Sequence, residues 1–364
     1  MRIIRNYVLA EFVGPFFLSL LVATMILAAG NVIQIADMII NKGVNAFYVM
    51  KLFLFLMPWL LTFTIPISVL SGTLLAFGRL ASDNEIIALK SSGISLWRIA
   101  SPILIVGLMI SLFCIPLNDK LLPESGFAAR KLIKQMGAKN PLALLEPGVF
   151  IKGFEDYIIF VYGISGNRLK NVRIYQPREG KPTRTIIAEE GEVITFPEQG
   201  MIKLKLKNGS ADESFPSNPD NFYKLVFKNY YITLNLKEAL EVQNIEKKPR
   251  EKSIEELRGE IKKHKRDNID TVPLYIEIHN KLALAFSNFI FVLIGIPLAI
   301  RTHRREKSIN FGFTMVLFLL YWAIMLGSVA CVVRNTIPPW AGIWMANAVF
   351  FVAGIILFLK MGKK

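Results

Sequence analysis

Six stretches of this chain are almost wholly apolar: 12–36, 52–77, 99–117, 281–300, 309–333 and 338–359. A helix crossing roughly 30 Å of hydrocarbon needs about 20 such residues. Apart from Lys281 at the edge of the fourth stretch, none of the six contains Asp, Glu, Lys or Arg. The first run follows Arg2 and Arg5 in "MRIIRNYVLAEF". It is longer than the apolar core of about 7–15 residues in a signal peptide, and no A-x-A cleavage site follows it. It therefore reads as an uncleaved first span.

Between the two triplets of spans the period changes. "DYIIFVYGI", "NVRIYQP", "RTIIAEEGEVITF", "MIKLKLKNG" and "FYKLVFKNYYITLNL" are short runs rich in β-branched and aromatic residues, separated by turn signals such as Asn208–Gly209 and "PSNPDN". Such spacing predicts an antiparallel sandwich or partly open barrel. Inward positions are expected at Ile158, Phe160, Ile174, Leu204, Leu206 and Val226. "SIEELRGEIKKHKR" at 253–266 reads as a helix opened by a Ser253/Glu256 capping box, and 119–140 as a helical exit from the third span. The domains expected are a first triplet at 1–117, an inserted β domain with flanking helices at 118–272, and a second triplet at 273–364.

The connection between the second and third spans, "ASDNEIIALKSSGISLWRIA" at 81–100, is more elaborate than a turn. Ser82 and Glu85 match a capping box, Asp83 and Glu85 lie where a helix dipole favours anions, and Gly93 suits a helix C-terminus. These predict a helix over about 83–92 within an element at 82–93, with Ile86, Leu89 and Glu85 forming a contact face for a partner groove. A helix lying on the membrane, with Glu85 only capping, is the plainer alternative.

Charge fixes the orientation. The formal net charge is +15. Arg2, Arg5, Arg79, Lys90, Arg98, Arg301, Arg304, Arg305, Lys307, Lys360, Lys363 and Lys364 fall on one side of the six-span arrangement. Short loops on the other side hold only Lys42 and Arg334. Lys and Arg concentrate on the cytoplasmic side, so both termini are cytoplasmic and the β domain is external. This accounts for the charge without nucleic acid, for which no basic face with interleaved aromatics exists. Cys114 and Cys331 both lie in spans and read as packing residues.

The motifs for ATP hydrolysis by a P-loop, zinc hydrolysis and a nucleophile elbow are missing. The spans also lack the ionisable groups that carry coupling ions. Energy for any transport is therefore expected from another chain. Acid pairs at Glu189–Glu190 and Asp212–Glu213 raise a second, minor possibility, a membrane-anchored enzyme acting on glycans.

The chain resembles the LptF/LptG (YjgP/YjgQ) permeases of the lipopolysaccharide export ABC transporter. The likeness rests on "MRIIRNYVLAEF", "PISVLSGTLLAFGRLASDNEIIALKSSGIS" at 66–95, "NPLALLEPGVF" at 140–150 and "IPLAIRTHRREKSINFGF" at 296–313. "NPLALLEPGVF" leans toward the F-type and "ADMIINKG" toward the G-type.

The resemblance implies a polytopic α-helical membrane protein of the bacterial inner membrane, with six transmembrane helices (3+3) and an inserted periplasmic all-β, jellyroll-like domain. It further implies a non-catalytic permease subunit, paired with a second LptF/LptG-type permease. A cytoplasmic LptB-like ATPase dimer would bind ATP and Mg. An LptC-like bitopic protein and an LptA-like periplasmic bridge would receive lipopolysaccharide. By motif, Glu85 matches the acid of the family's coupling helix. Lipid would enter through gates involving spans one and five and pass to an apolar groove in the β domain. Family members tend to carry cations near the outer end of the first span. Here the comparable stretch holds neutral Asn31 and Gln34, and then Lys42. A permease of the same architecture for another lipid fits the same pattern.

Overall fold

The computed structural model describes residues 2–40, 44–139, 148–154, 157–165, 168–178, 181–196, 201–214, 222–235, 246–302 and 307–362. Among these, helices α1 (Arg2–Ile40), α2 (Ala46–Ser82), α3 (Glu85–Ser91), α4 (Leu96–Pro116) and α5 (Leu122–Lys139) precede six strands. The strands are β1 (Phe150–Phe154), β2 (Tyr157–Ser165), β3 (Arg168–Arg178), β4 (Lys181–Phe196), β5 (Met201–Ser214) and β6 (Phe222–Asn235). Helices α6 (Ile254–Arg266), α7 (Val272–Thr302), α8 (Lys307–Val333) and α9 (Pro339–Gly362) follow. Six helical segments are long and apolar enough to cross a membrane, in the 3+3 arrangement expected. Helix α1 has 39 residues, about 58 Å at ~1.5 Å per residue, so it extends well beyond a ~30 Å hydrocarbon core.

The chain divides into two compact units. One holds residues 1–30, 56–127 and 247–364. Its core joins Phe12 of α1, Leu70 and Phe77 of α2, Ile99 and Ile103 of α4, Phe291 and Ile296 of α7, and Phe350 of α9. With no water to expel from between helices in lipid, close backbone approach and interhelical hydrogen bonds must supply the attraction. Both are present. A Cβ placed on Gly107 of α4 would stand 2.7 Å from Val292 Cγ2 of α7, and one on Gly72 of α2 would stand 3.1 Å from the Cα of Phe16. Tyr321 of α8 donates to Asn347 Oδ1 of α9 at 2.8 Å, and Asn347 Nδ2 donates to the Ala283 carbonyl of α7 at 3.0 Å. Helix α7 is the most enclosed span; α1 and α8 are the most open.

Directly after α4 the helix widens into a π-helical turn, Leu117–Leu121. Asn118 there is buried and accepts from Thr62 Oγ1 of α2 at 3.2 Å while donating to the Lys281 carbonyl of α7 at 3.2 Å. The next residue, Asp119, accepts from the Ile254 amide at the start of α6 at 2.6 Å. The Ser253/Glu256 capping box forms as expected: Ser253 Oγ accepts from the Glu256 amide, and the Glu256 carboxylate accepts from the Ser253 amide.

The second unit holds residues 31–55 and 128–246. Its sheet has the order β1-β2-β3-β4-β5-β6, with every described pairing antiparallel, so the inserted β domain is a meander of consecutive strands. One face is enclosed. Ile159, Val161, Val172, Ile174, Ile186, Val193, Leu204, Leu206 and Ile232 cluster there at near-zero exposure, all from the strands themselves.

Register corrects half of the inward set. Ile174, Leu204 and Leu206 lie on the enclosed face. Ile158 and Phe160 do not: Ile159 pairs with Ile174, which places their neighbours on the opposite face beside Tyr175 and Arg173. Val226 is 75% exposed. The cause is local. "MIKLKLKNG" alternates and so declares its face, whereas "YIIFV" is apolar at every position and declares none. Elsewhere in this unit Val44, Val49 and Leu52 pack with Ala129, Leu132 and Met136 of α5.

Candidate functional site

Helix α3 joins α2 to α4 and is the best-defined candidate for contact with another chain. At seven residues it is well below the ~12–15 residues at which an isolated helix becomes even marginally stable in water. Three features hold it. Gly93, at φ +81°, closes its C-terminus: the Gly93 amide donates to the Lys90 carbonyl at 2.9 Å and the Ile94 amide to the Leu89 carbonyl at 3.1 Å. This pair of bonds is the Schellman arrangement, and glycine occupies the left-handed position without steric cost. Ile86 is 2% exposed in the core of the helical unit, a burial worth roughly 1.5–3 kcal/mol. Leu89 and Ile94 pack partly buried against the same core.

The N-terminus differs from the expected capping box. Helix α2 continues through Ser82, the turn Asp83–Asn84 follows, and α3 begins at Glu85. Asn84 is the N-cap residue, in the left-handed region at φ 59°, and its side chain makes no cap bond. Ser82 Oγ is buried without a hydrogen-bond partner. A serine still inside the preceding helix cannot turn its hydroxyl to the next one. Ser95 likewise stands at the N-cap of α4 without a side-chain cap bond.

Glu85 is therefore not engaged in capping. Tyr7 Oη of α1 donates to Glu85 Oε1 at 2.9 Å. Alongside, Arg79 Nη1 lies 2.6 Å from Glu11 Oε2 of α1, and Arg79 Nε lies 3.6 Å from Asp83 Oδ2. The start of α1 is thus bonded both to the end of α2 and to the first residue of α3.

The contact face also needs correction. Ile86 and Leu89 anchor α3 to its own bundle rather than facing outward. The outward side consists of Ile87, 55% exposed, with Ala88, Ser91 and Ser92, flanked by exposed Asp83 and Gly93. Sequence reading missed Ile87, Ala88, Tyr7 and Glu11. The adjacent isoleucines 86 and 87 offered no means of telling which faces the core. Nothing local links Tyr7 to a residue 78 positions away.

Of the residues expected to meet the substrate, Asn31 is half-buried and Gln34 exposed on α1, while Lys42 lies outside the described residues. Asn31 and Gln34 are three apart and share one side of the helix. Ile174, Leu204 and Leu206 line the enclosed face of the sheet. On the opposite face Phe160 lies 4.7 Å from the ring of Phe150 and 4.9 Å from that of Tyr162, and Arg173 sits over Tyr162 at 5.3 Å. Glu189 and Glu190 are both exposed on β4, where the two-residue alternation of enclosed positions breaks between Ala188 and Gly191. Among the described residues no group of three or more His, Cys, Asp or Glu is placed to hold a metal ion.

Comparison with known proteins extends over nearly the whole chain. A family model described as "Lipopolysaccharide export system permease LptF/LptG" matches residues 6–360. The chain is 20% identical over 359 residues to the lipopolysaccharide export system permease protein LptF of Escherichia coli (strain K12), covering 98% of this chain and 94% of that protein. The same similarity holds for LptF of Shigella flexneri. An uncharacterized protein of Rickettsia prowazekii (strain Madrid E) is 21% identical over 298 residues, 81% of this chain and 80% of that protein.

Proposed function

The chain belongs to the LptF/LptG family of lipopolysaccharide export permeases, and from that premise we propose that it is the transmembrane permease subunit of an ATP-driven transporter that extracts lipopolysaccharide from the inner membrane. Its energy comes from a separate LptB-like ATPase dimer that binds ATP and Mg. A second LptF/LptG-type permease completes the membrane assembly. An LptC-like protein and an LptA-like bridge take the lipid onward in the periplasm. Both termini face the cytoplasm, and the β domain faces the periplasm.

The observation that carries this reading is α3. It is a short helix fixed by buried Ile86 and closed by Gly93, and its outward side carries Ile87, Ala88 and Ser91 beside the Glu85 carboxylate. A knob of this kind transmits force because it moves with the bundle to which it is anchored. Supporting features lie elsewhere. Helices α1 and α8 expose apolar rows, Phe17, Leu21 and Met25 on one and Val316, Leu319 and Leu320 on the other. These suit a lipid path and a second permease. The enclosed sheet face, with Ile174, Leu204 and Leu206, offers acyl chains an apolar lining. The neutral pair Asn31 and Gln34 leaves phosphate recognition to Lys42 or to the paired permease.

The reading is tested by purifying the chain with its co-expressed ATPase and analysing the bound lipid by mass spectrometry. Lipopolysaccharide is the expected cargo, and a different, consistently bound lipid would assign the same architecture to other freight.

A further inference from the structure

At the end of the helical unit where α3 lies, a cavity of about 430 Å³ opens between α3 and the ends of α4, α7 and α9. This lies within the ~300–1,000 Å³ typical of small-ligand sites. Its apolar lining includes Ile86, Ile300 and Leu357, and three cations, Lys90, Arg301 and Lys360, complete it. Among the described residues no acid and no neutral polar side chain contributes to the lining. Among the described residues none of the three cations forms an ion pair. Three chain segments distant in sequence therefore each bring one positive charge to the edge of one greasy cleft.

The depth of this cavity is marked by Trp97, 49% exposed on α4, whose ring lies 4.3 Å from that of Phe358 on α9. Half-exposed tryptophan is the side chain that settles at the headgroup level of a bilayer. Lys360 follows Phe358 by two residues. The cavity thus lies where hydrocarbon gives way to headgroups.

We propose that this cavity is a binding site for an anionic phospholipid of the membrane leaflet, its phosphate held among Lys90, Arg301 and Lys360 and the start of its acyl chains lying on the half-buried Leu357 and Met361 that line it. The lining chemistry selects this occupant. A peptide segment would bring amide N–H donors that find no acceptor among these alkyl and cationic side chains, and burying them unpaired is costly. A zwitterionic headgroup would bring an ammonium with no carboxylate among the described lining residues to receive it. An anionic amphiphile needs only what the cavity offers, and basic pockets between spans on the cytoplasmic side take such headgroups. Because Lys90 belongs to α3, the lipid bridges the coupling helix to the ends of α7 and α9. The proposal rests on the functional reading only for the side of the membrane, and its expected result, selective lipid retention, requires neither cargo nor ATPase.

The full-length protein is reconstituted in nanodiscs of equal parts phosphatidylglycerol and phosphatidylcholine, extracted into mild detergent, and its retained lipid counted by native mass spectrometry. The wild type is expected to retain phosphatidylglycerol in preference to phosphatidylcholine. Lys90→Ala, Arg301→Ala and Lys360→Ala are each expected to weaken retention about fivefold, and the triple variant on the order of 100-fold, from the ~1 kcal/mol that each cation contributes at an anionic surface. The melting temperature of each variant establishes that it is folded, and the three single variants decide the matter if the triple variant does not fold. Equal retention by wild type and variants, or no preference over phosphatidylcholine, overturns the proposal. So does a variant that keeps its phosphatidylglycerol yet loses a co-expressed ATPase, since the cavity would then be a protein contact. Absence of lipopolysaccharide export with lipid retention intact would count against the functional reading alone.

Discussion

Tyr7 Oη and Glu85 Oε1 stand 2.9 Å apart, so the first turns of α1 are bonded to the acid that opens α3. The Arg79–Glu11 pair at 2.6 Å reinforces the same junction. Under the proposed function Glu85 has two tasks, a link within the chain and a charge for a partner, and two substitutions separate them. Tyr7→Phe removes the link and leaves the charge. ATPase co-purification should be unchanged, while lipopolysaccharide released per ATP hydrolysed falls severalfold. Glu85→Gln can still accept from Tyr7 but loses the charge. It should weaken ATPase binding by about 30-fold, near the ~2 kcal/mol lower bound for breaking a hydrogen-bonded charge pair at an interface. Binding constants measured by biolayer interferometry, alongside coupled transport assays, distinguish the two outcomes.

Gly72 lets α1 and α2 approach closely. A side chain there meets the Phe16 backbone at 3.1 Å, and backbone cannot swing aside. Gly72→Val should lower stability by about 1–3 kcal/mol, the usual cost of overpacking. Gly14→Ala in α1, where nothing lies within 4 Å, should be neutral or slightly stabilising, since alanine favours the helix by up to ~1 kcal/mol over glycine. Thermal unfolding in detergent, read side by side, checks the pair.

Asn118 closes the polar contact between α2, the π-turn and α7. Asn118→Leu strips the Lys281 carbonyl of a buried donor and should cost about 1–3 kcal/mol. Thr62→Val should cost less, because the Asn118 bond to Lys281 survives. Protease sensitivity at the start of α7 reports the difference.

Glu256 supplies a pH test. Its carboxyl is held below its ordinary pKa, first by the hydrogen bond from Lys247 and then by the Ser253 amide. A depressed folded pKa means that this contribution is fully present above the unfolded value of about 4.3. It is lost as pH falls through the lower folded value. The hydrogen-exchange protection of α6, taken relative to the intrinsic amide rate at each pH, should accordingly fall as the pH is taken from 6 toward the acid side of about 4. Glu256→Gln should flatten that dependence.

The sequence made some of this legible. Six uninterrupted apolar runs left no other class of fold, and the Ser253/Glu256 box formed as read. Gly93 marked the end of α3 because a left-handed C-terminus favours one residue above others. The start of α3 was misread because Ser82 is still helical, so a matching S-x-x-E spacing had no free hydroxyl to use. Ile86 and Ile87 are chemically equivalent neighbours, and only packing against α2 and α4 decides which is core. The face of β2 was illegible for the same reason. The Tyr7–Glu85 bond depends on how α1 lies on α2, information that resides in close contacts such as Gly72 with Phe16 rather than in any motif.

The most direct test is release of lipopolysaccharide from proteoliposomes containing this chain, its paired permease and the ATPase. ATP should drive lipopolysaccharide to a soluble LptA-like acceptor, and Glu85→Gln should reduce that release in step with ATPase binding. Lipopolysaccharide that stays in the membrane despite ATP hydrolysis by an intact complex would contradict the account.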